Sequence, residues 1–192
     1  MIVTYPEIIA DMLLIAFFLA QRMLRSAVSS KTPRKTTYDK NSTPWVGAAV
    51  GVNSIFIFYA PVLNHYHIGD LNLRYLNWVG IVVMFAGLLL RVIAAYTLGK
   101  SYTMTLQKVE KHELVSKGIY NKIRHPGYLG TIVLFVGGGL ATLNWISLII
   151  SAFLIIIYLY RIHAEERMLQ EIFGQQYKDY MDKTCKLIPF VY

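Results

Sequence analysis

The chain has 192 residues, 55% of them hydrophobic and only 16% charged, with a formal net charge of +8 and a mean hydropathy of +0.43. This composition excludes a disordered tail protein, which needs low hydrophobicity and high charge, and argues against an ordinary water-soluble domain, because a chain of this length cannot hide so much apolar surface in one core. The single cysteine, Cys185, excludes an intramolecular disulfide and any CxxC metal or redox site.

Four apolar blocks follow in chain order. Residues 8–24 carry two charges, Asp11 and Arg22, and residues 45–63 carry none; residues 75–98 carry one, Arg91, and residues 128–160 carry none across 33 positions. A membrane-crossing helix needs about 20 mainly apolar residues, at about 1.5 Å each, to cover a hydrocarbon core of about 30 Å. The first three blocks each predict one span. The fourth is too long for one span and short for two; it predicts a tight helical hairpin turning near Thr142-Leu143-Asn144 and loosened at Gly137-Gly138-Gly139. That gives about five spans, with one span plus a re-entrant piece, four in all, as the alternative. The first block has no basic stretch before it and no small-residue cleavage site after it, so a cleavable signal peptide is not expected.

The basic residues set an orientation. Of the 19 Lys and Arg side chains, 17 lie between the end of block one (from Arg22) and block two, between blocks three and four, or after block four; Arg74 and Arg91 are the exceptions. In a five-span chain those three segments share one side, which by the positive-inside rule places the N-terminus outside and the C-terminus in the cytosol. The charge is thereby explained by topology, and nucleic acid is not an expected partner. The fold class expected is an all-α integral membrane protein.

Two cytosolic segments carry the candidate chemistry. The first holds HELVSKGIY (112–120) and NKIRHPGYLG (121–130). Proline pushes the residue before it out of the α region, so His125 is expected to be extended, and Pro126 suits the first helical turn. A span beginning at Pro126 sets Arg124 and His125 at its mouth, where free N–H groups and the helix dipole favour an anion. Gly127 and Gly130 flank Tyr128 and allow close backbone approach. A plain basic juxtamembrane anchor fits the same residues. The second segment is YRIHAEERMLQEIFGQQYKDYM (160–181). Arg161 and Glu165, at i and i+4, share a helix face, whereas Glu166 lies about 100° round from Glu165 and is expected to point elsewhere. Leu169, Ile172, Phe173, Tyr177 and Tyr180 recur at helical spacing with Gly174 as an interruption, which reads as an amphipathic interfacial segment. The plainer alternative is a surface ion pair worth a few tenths of a kcal/mol. Against it, these charges close the uncharged 33-residue run, and ionisable groups at a membrane boundary point to function. His65-Tyr66-His67 lacks a third ligand, so no metal is expected. Arg91 is expected to snorkel or face the bundle interior, and Asp11 to reach the headgroups.

HELVSKGIYNKIRHPGYLG (112–130), then RIHAEERMLQEIFGQQYKDYM (161–181), then Pro189 together resemble the isoprenylcysteine carboxyl methyltransferase family, in its short microbial form. The resemblance covers about residues 96–192, which divides the chain into N-terminal spans, 1–95, and a methyltransferase core, 96–192. It implies S-adenosyl-L-methionine as cofactor, held in a cytosolic pocket formed by the last helical hairpin, its preceding loop and the C-terminal segment. It implies cofactor contacts at His112, Glu113 (through its backbone), Leu114, Val115, Tyr120, His125, Pro126, Gly127, Tyr128 and Glu165, with Gln107 as a further upstream contact. Arg161 matches the arginine at the substrate carboxylate, and Arg161 and Glu166 are the candidate catalytic residues. The implied acceptor is the carboxylate of a prenylated cysteine or a similar lipid-borne group, entering sideways from membrane lipid. A phospholipid amine or a lipid phenol would instead need a proton acceptor, for which Glu166 or His125 would serve. A membrane reductase and a non-catalytic scaffold are the readings from other classes.

Overall fold

The computed structural model describes residues 4–28, 42–73, 75–99 and 114–188. Helix α1 spans Tyr5–Val28, α2 Ser42–His65, α3 Leu76–Leu98, α4 Pro126–Ala141, α5 Trp145–Phe173 and α6 Gln175–Lys183, with a 3-10 turn at Gly118–Asn121 before α4. Among the described residues there is no β-strand, only two isolated bridges, Asp70 with Asn144 and Ile123 with Cys185.

Helices α2, α3 and α5 are long and apolar enough to cross a membrane. Their outward faces are apolar: Val82, Phe85 and Leu89 on α3, Ile55 and Phe58 on α2, and Phe153 and Ile156 on α5 are exposed. A water-soluble protein does not present such continuous apolar sides, and the chain is an integral membrane protein. Exposed aromatics gather towards the helix ends, with Tyr66, Tyr75, Trp78 and Trp145 at one end and Trp45, Tyr96 and Tyr160 towards the other, where amphipathic rings meet headgroups. Helix α1 is as long as α2 but carries Glu7, Asp11, Arg22 and Arg25. Helix α4 has 16 residues, about 24 Å, and α5 has 29, about 44 Å. One arm of this hairpin therefore falls short of a bilayer core of about 30 Å and the other overruns it.

The hairpin turns at Thr142–Asn144, between α4 and α5, where the sequence placed it. Asn144 makes the turn. Its Oδ1 accepts from the backbone N–H groups of Ile146 and Ser147, capping α5, and its Nδ2 donates to Asn64 Oδ1 (2.8 Å) and the Ile68 carbonyl (2.9 Å). The 66–73 loop is tied to the same end, with Leu71 N–H donating to the Leu143 carbonyl (2.8 Å) and Trp145 N–H to that of Gly69 (2.9 Å). Deeper in the bundle, Asn53 of α2 donates to the Ile150 carbonyl (2.9 Å) and Ser151 of α5 donates to Asn53 Oδ1 (2.8 Å).

The glycine run was expected to loosen the hairpin, and it does not. Residues 137–139 are regular helix, and each gives its missing side chain to a different neighbour. A Cβ on Gly137 would overlap the backbone of Met84 in α3, one on Gly138 would meet Ile57 of α2 at its Cδ1 (2.5 Å), and one on Gly139 would press on Leu148 of α5 (3.1 Å). Gly80 and Gly87 of α3 face the backbone of α4 at Ala141 and Leu134, and Gly130 of α4 faces the backbone of Arg91. Helices α3 and α4 thus touch backbone to backbone along small residues seven apart, or about two turns.

Gly87→Ala, whose Cβ would overlap the Leu134 backbone, is expected to lower the thermal unfolding midpoint in detergent micelles by the equivalent of about 1–3 kcal/mol. Gly51→Ala in α2, where nothing lies within 4 Å of the added carbon, is expected to be neutral or stabilising by up to about 1 kcal/mol. Equal midpoints for the two variants would contradict this packing.

Candidate active site

The site is built where the start of α4, the overrun of α5 and the chain after α6 meet. Pro126 occupies the first turn of α4 as expected; the backbone of His125 (φ −123°, ψ 53°) has left the helical region without reaching full extension. Residues 122–125 pair with the returning C-terminal segment. Arg124 N–H donates to the Cys185 carbonyl (2.8 Å), His125 N–H to that of Lys186 (3.2 Å), and Cys185 N–H to that of Lys122 (3.0 Å).

The side chains at this junction form a buried charged network. Arg124 Nε meets Glu166 Oε1 at 2.9 Å, and Arg124 Nη1 donates to the carbonyls of Met181 (3.0 Å) and Thr184. Glu166 also meets His125 Nε2 (3.3 Å) and Lys186 Nζ (3.5 Å). With three basic partners around it, its carboxylate is compensated for leaving water. Glu165 approaches the other imidazole nitrogen, Nδ1, at 3.7 Å, and its buried Oε2 accepts no hydrogen bond among the described residues. The two glutamates were expected to point apart. They do diverge, and the His125 ring lies between them, so both reach it.

The His125 ring stacks on Tyr128 (centroids 5.7 Å apart, planes at 8°), and Tyr128 leans on Tyr158 (5.1 Å). The Tyr128 hydroxyl accepts from Arg161 Nε at 3.0 Å, while Arg161 Nη1 donates to Ser42 Oγ (3.0 Å) and Thr43 Oγ1 (2.9 Å) at the start of α2. Arg161 is buried, with 3% of its surface exposed. The 160–181 stretch, read as one interfacial segment, divides. Residues 161–173 continue α5, and α6 starts after Gly174, whose φ of 55° breaks the helix.

Helix α6 closes the back of the site. The Tyr180 hydroxyl donates to the Tyr120 carbonyl at 2.6 Å; burial pushes its pKa up to about 12, against a lowering by Arg124, so it remains a neutral donor. Tyr177 is buried, and its hydroxyl has no hydrogen-bond partner among the described residues. Burial, reinforced by Glu166 and Glu165, raises its pKa well above the usual phenol.

Of the residues singled out from sequence, His125, Pro126, Gly127, Tyr128, Arg161, Glu165 and Glu166 come together, and Tyr120 joins through α6. Leu114 and Val115 are half-buried just ahead of the 3-10 turn. Gln107, His112 and Glu113 lie outside the described residues. Gly127 leaves room for Arg91, since a Cβ there would stand 2.8 Å from Nη1. Arg91 faces the interior, where Nη2 also donates to Gln21 Oε1 (3.4 Å). Sequence reasoning set Arg124 at the helix mouth but gave it no role, and it missed Ser42, Thr43 and Lys186. Adjacency to the Arg-His-Pro run was a signal for Arg124. Ser42 and Thr43 lie more than 100 positions from Arg161, and nothing local marks them.

Comparison with known proteins bears on the same region. The model of the isoprenylcysteine carboxyl methyltransferase (ICMT) family matches residues 78–171. The chain is 31% identical over 122 residues to the probable protein-S-isoprenylcysteine O-methyltransferase of Oryza sativa subsp. indica, covering 61% of this chain and 63% of that protein. It is 35% identical over 117 residues to protein-S-isoprenylcysteine O-methyltransferase B of Arabidopsis thaliana, covering 58% of each. The chain thus spans less than two thirds of the length of these relatives. Its fold is similar to the solved structure of the eukaryotic intramembrane Ras methyltransferase ICMT, with a TM-score of 0.71, 24% identity, and coverage of 99% of this chain and 70% of that one.

Arg124→Ala leaves Glu166 buried without its 2.9 Å partner and is expected to cost about 3–5 kcal/mol, read as a lower unfolding midpoint and faster proteolysis within 182–188. Arg124→Lys keeps the charge but loses the fork and should fall between. An alanine variant as stable as the parent would show that this network does not hold the C-terminal segment.

Proposed function

We propose, from the place of residues 78–171 in the isoprenylcysteine carboxyl methyltransferase family, that this chain is an integral membrane methyltransferase. On this reading it uses S-adenosyl-L-methionine to O-methylate the C-terminal carboxylate of a prenylated cysteine or a similar lipid-borne acceptor. The observation that carries the proposal is a buried arginine, Arg161, held by hydroxyls one helical turn from Glu165, whose buried Oε2 accepts no hydrogen bond among the described residues.

The residues present suit both ligands. Glu165 Oε2 offers a carboxylate acceptor to a cofactor hydroxyl or ammonium. The stacked His125 and Tyr128 rings offer aromatic faces that favour a sulfonium. Leu114, Val115, Tyr120, Pro126 and Gly127 complete the cofactor side, with Gln107, His112 and Glu113 from the preceding loop. When bound, S-adenosylmethionine supplies an electrophilic methyl group on a sulfonium.

The chain's own residues then orient and exclude water. Arg161 presents a planar fork to the acceptor carboxylate, aligning it for in-line attack, and alignment of this kind can be worth roughly 7–11 kcal/mol. An ionised carboxylate is already a nucleophile, so no general base is required. That agrees with the state of Glu166, whose oxygens are engaged by Arg124, His125 and Lys186. We therefore assign Glu166 to holding His125 and Arg124 in place rather than to taking a proton, which favours a carboxylate acceptor over an amine or phenol. In this reading α1–α5 are five spans, the N-terminus is outside, and the site faces the cytosol, as the basic segments indicate. The first 95 residues hold the core of 96–192 in the bilayer.

Purified protein supplied with labelled cofactor and a panel of farnesylcysteine, phosphatidylethanolamine and a lipid phenol is expected to label farnesylcysteine. Label on the phospholipid alone would overturn the proposal. Arg161→Ala is expected to cut kcat/KM for the acceptor about 10- to 100-fold, as for loss of hydrogen bonds to a charged group, with S-adenosylhomocysteine affinity within a few fold. Glu165→Gln is expected to weaken S-adenosylhomocysteine binding about tenfold by calorimetry. Full activity in both variants would show the site to be misplaced.

A further inference from the structure

We propose that Ser42 and Thr43, in the first turn of α2, are positioning residues for Arg161 and so set the enzyme's recognition of the acceptor carboxylate. The inference rests on the function proposed above and adds to it a part of the chain outside the 78–171 family segment.

The geometry is that of a held fork. A guanidinium is planar and rigid, so hydrogen bonds at two of its nitrogens fix its plane and leave little freedom for the third. Here Nε is held by the Tyr128 hydroxyl at 3.0 Å, and Nη1 by Ser42 Oγ at 3.0 Å and Thr43 Oγ1 at 2.9 Å. Tyr128 comes from α4 and the two hydroxyls from α2, so the arginine on α5 is gripped from two helices. The anchors are themselves fixed, with Ser42 1% exposed and Tyr128 packed between His125 and Tyr158.

The chemistry of the anchors matters as much as their position. All three are hydroxyls, which accept a hydrogen bond without bringing a negative charge. A carboxylate in the same place would hold the arginine as firmly, but it would neutralise the cation and compete with the acceptor. At the neighbouring Arg124 the opposite choice is made: Glu166 takes its Nε at 2.9 Å. At Arg161 the Nε and Nη1 contacts named here are to neutral groups, so they orient the cation without cancelling its charge.

The test uses the full chain in liposomes with labelled cofactor and farnesylcysteine. The variants are Ser42→Ala, Thr43→Val and their combination, with Ser42→Thr and Thr43→Ser as hydroxyl-keeping counterparts. The double variant is expected to lower acceptor kcat/KM at least tenfold, chiefly through KM, with the S-adenosylhomocysteine dissociation constant within twofold of the parent. The hydroxyl-keeping variants should recover most of the loss. Competitive inhibition adds a readout that a general loss of packing would not move: the parent should prefer a non-methylatable carboxylate analogue over its carboxamide, and the double variant should lose that preference. Should the double variant fail to fold, Thr43→Val against Thr43→Ser makes the same comparison. Parent-like kinetics and carboxylate preference in folded Thr43→Val and Ser42→Ala would overturn this inference while leaving the methyltransferase reading standing. Failure of the parent itself to label farnesylcysteine would overturn both.

Discussion

The backbone contact between α3 and α4 governs the rest of the structure. Lipid tails are as apolar as leucine side chains, so burying apolar surface gives two helices little reason to associate within a bilayer; close packing must do it. Gly80 and Gly87 on one helix and Gly130 and Gly137 on the other remove the Cβ atoms that would hold the axes apart. Because α4 is short and also touches α2 through Gly138 and α5 through Gly139, its depth and rotation are fixed from three sides. Its first residue, Pro126, is fixed with it. Arg91 against Gly127 continues the same close contact to the very start of the helix. The candidate site is therefore aimed by small residues that take no part in its chemistry.

The second constraint is helix length. The hairpin has a short arm and a long one, so α5 passes the start of α4 and carries Arg161, Glu165 and Glu166 alongside it. Placing these charges within the hydrocarbon would be expensive; placing them in open water would screen them. The structure buries them under the returning 184–186 segment and α6. Burial there strengthens each interaction, and it also demands that each charge be answered. Glu166 is answered by Arg124, His125 and Lys186. Lys186 and the carbonyls of Met181 and Thr184 belong to the chain's last described stretch, so closing the site and satisfying its charges are one event.

Much of this was legible in the sequence because membrane solvation leaves coarse marks. Uncharged runs gave the helices, and the lengths of 128–160 and its asparagine gave the hairpin and its turn, since Asn144 is among the few residues able to cap α5 and bind a second loop at once. Pro126 gave the start of α4. The glycine run was misjudged because permissive backbone and close packing use the same residue, and composition alone does not tell them apart. The 161–166 charges were read correctly as more than a surface pair, but their partners were not. Angular spacing says where two side chains leave a helix and nothing about a ring placed between them. Ser42 and Thr43 were invisible for a different reason: a hydroxyl-to-arginine contact across helices leaves no periodicity and no motif.

The two arginines and two glutamates of the site are held in different ways. A buried ion pair is worth keeping only when its geometry is good and its remaining lone pairs are met. Arg124 and Glu166 meet that standard at 2.9 Å with carbonyl and lysine support, so they are stable together and chemically quiet. Arg161 and Glu165 stand one helical turn apart on the same face, where a simple pair would be expected. Instead Arg161 turns to hydroxyls on α2 and α4, and Glu165 turns towards His125, leaving one carboxylate oxygen without a hydrogen bond among the described residues. Tyr128 stands at both, its ring stacked on the histidine and its hydroxyl taking the arginine's Nε. One aromatic residue thus sets the direction of both charged groups, and the roles proposed for Arg161 at an acceptor carboxylate and for Glu165 at a cofactor rest on that divergence.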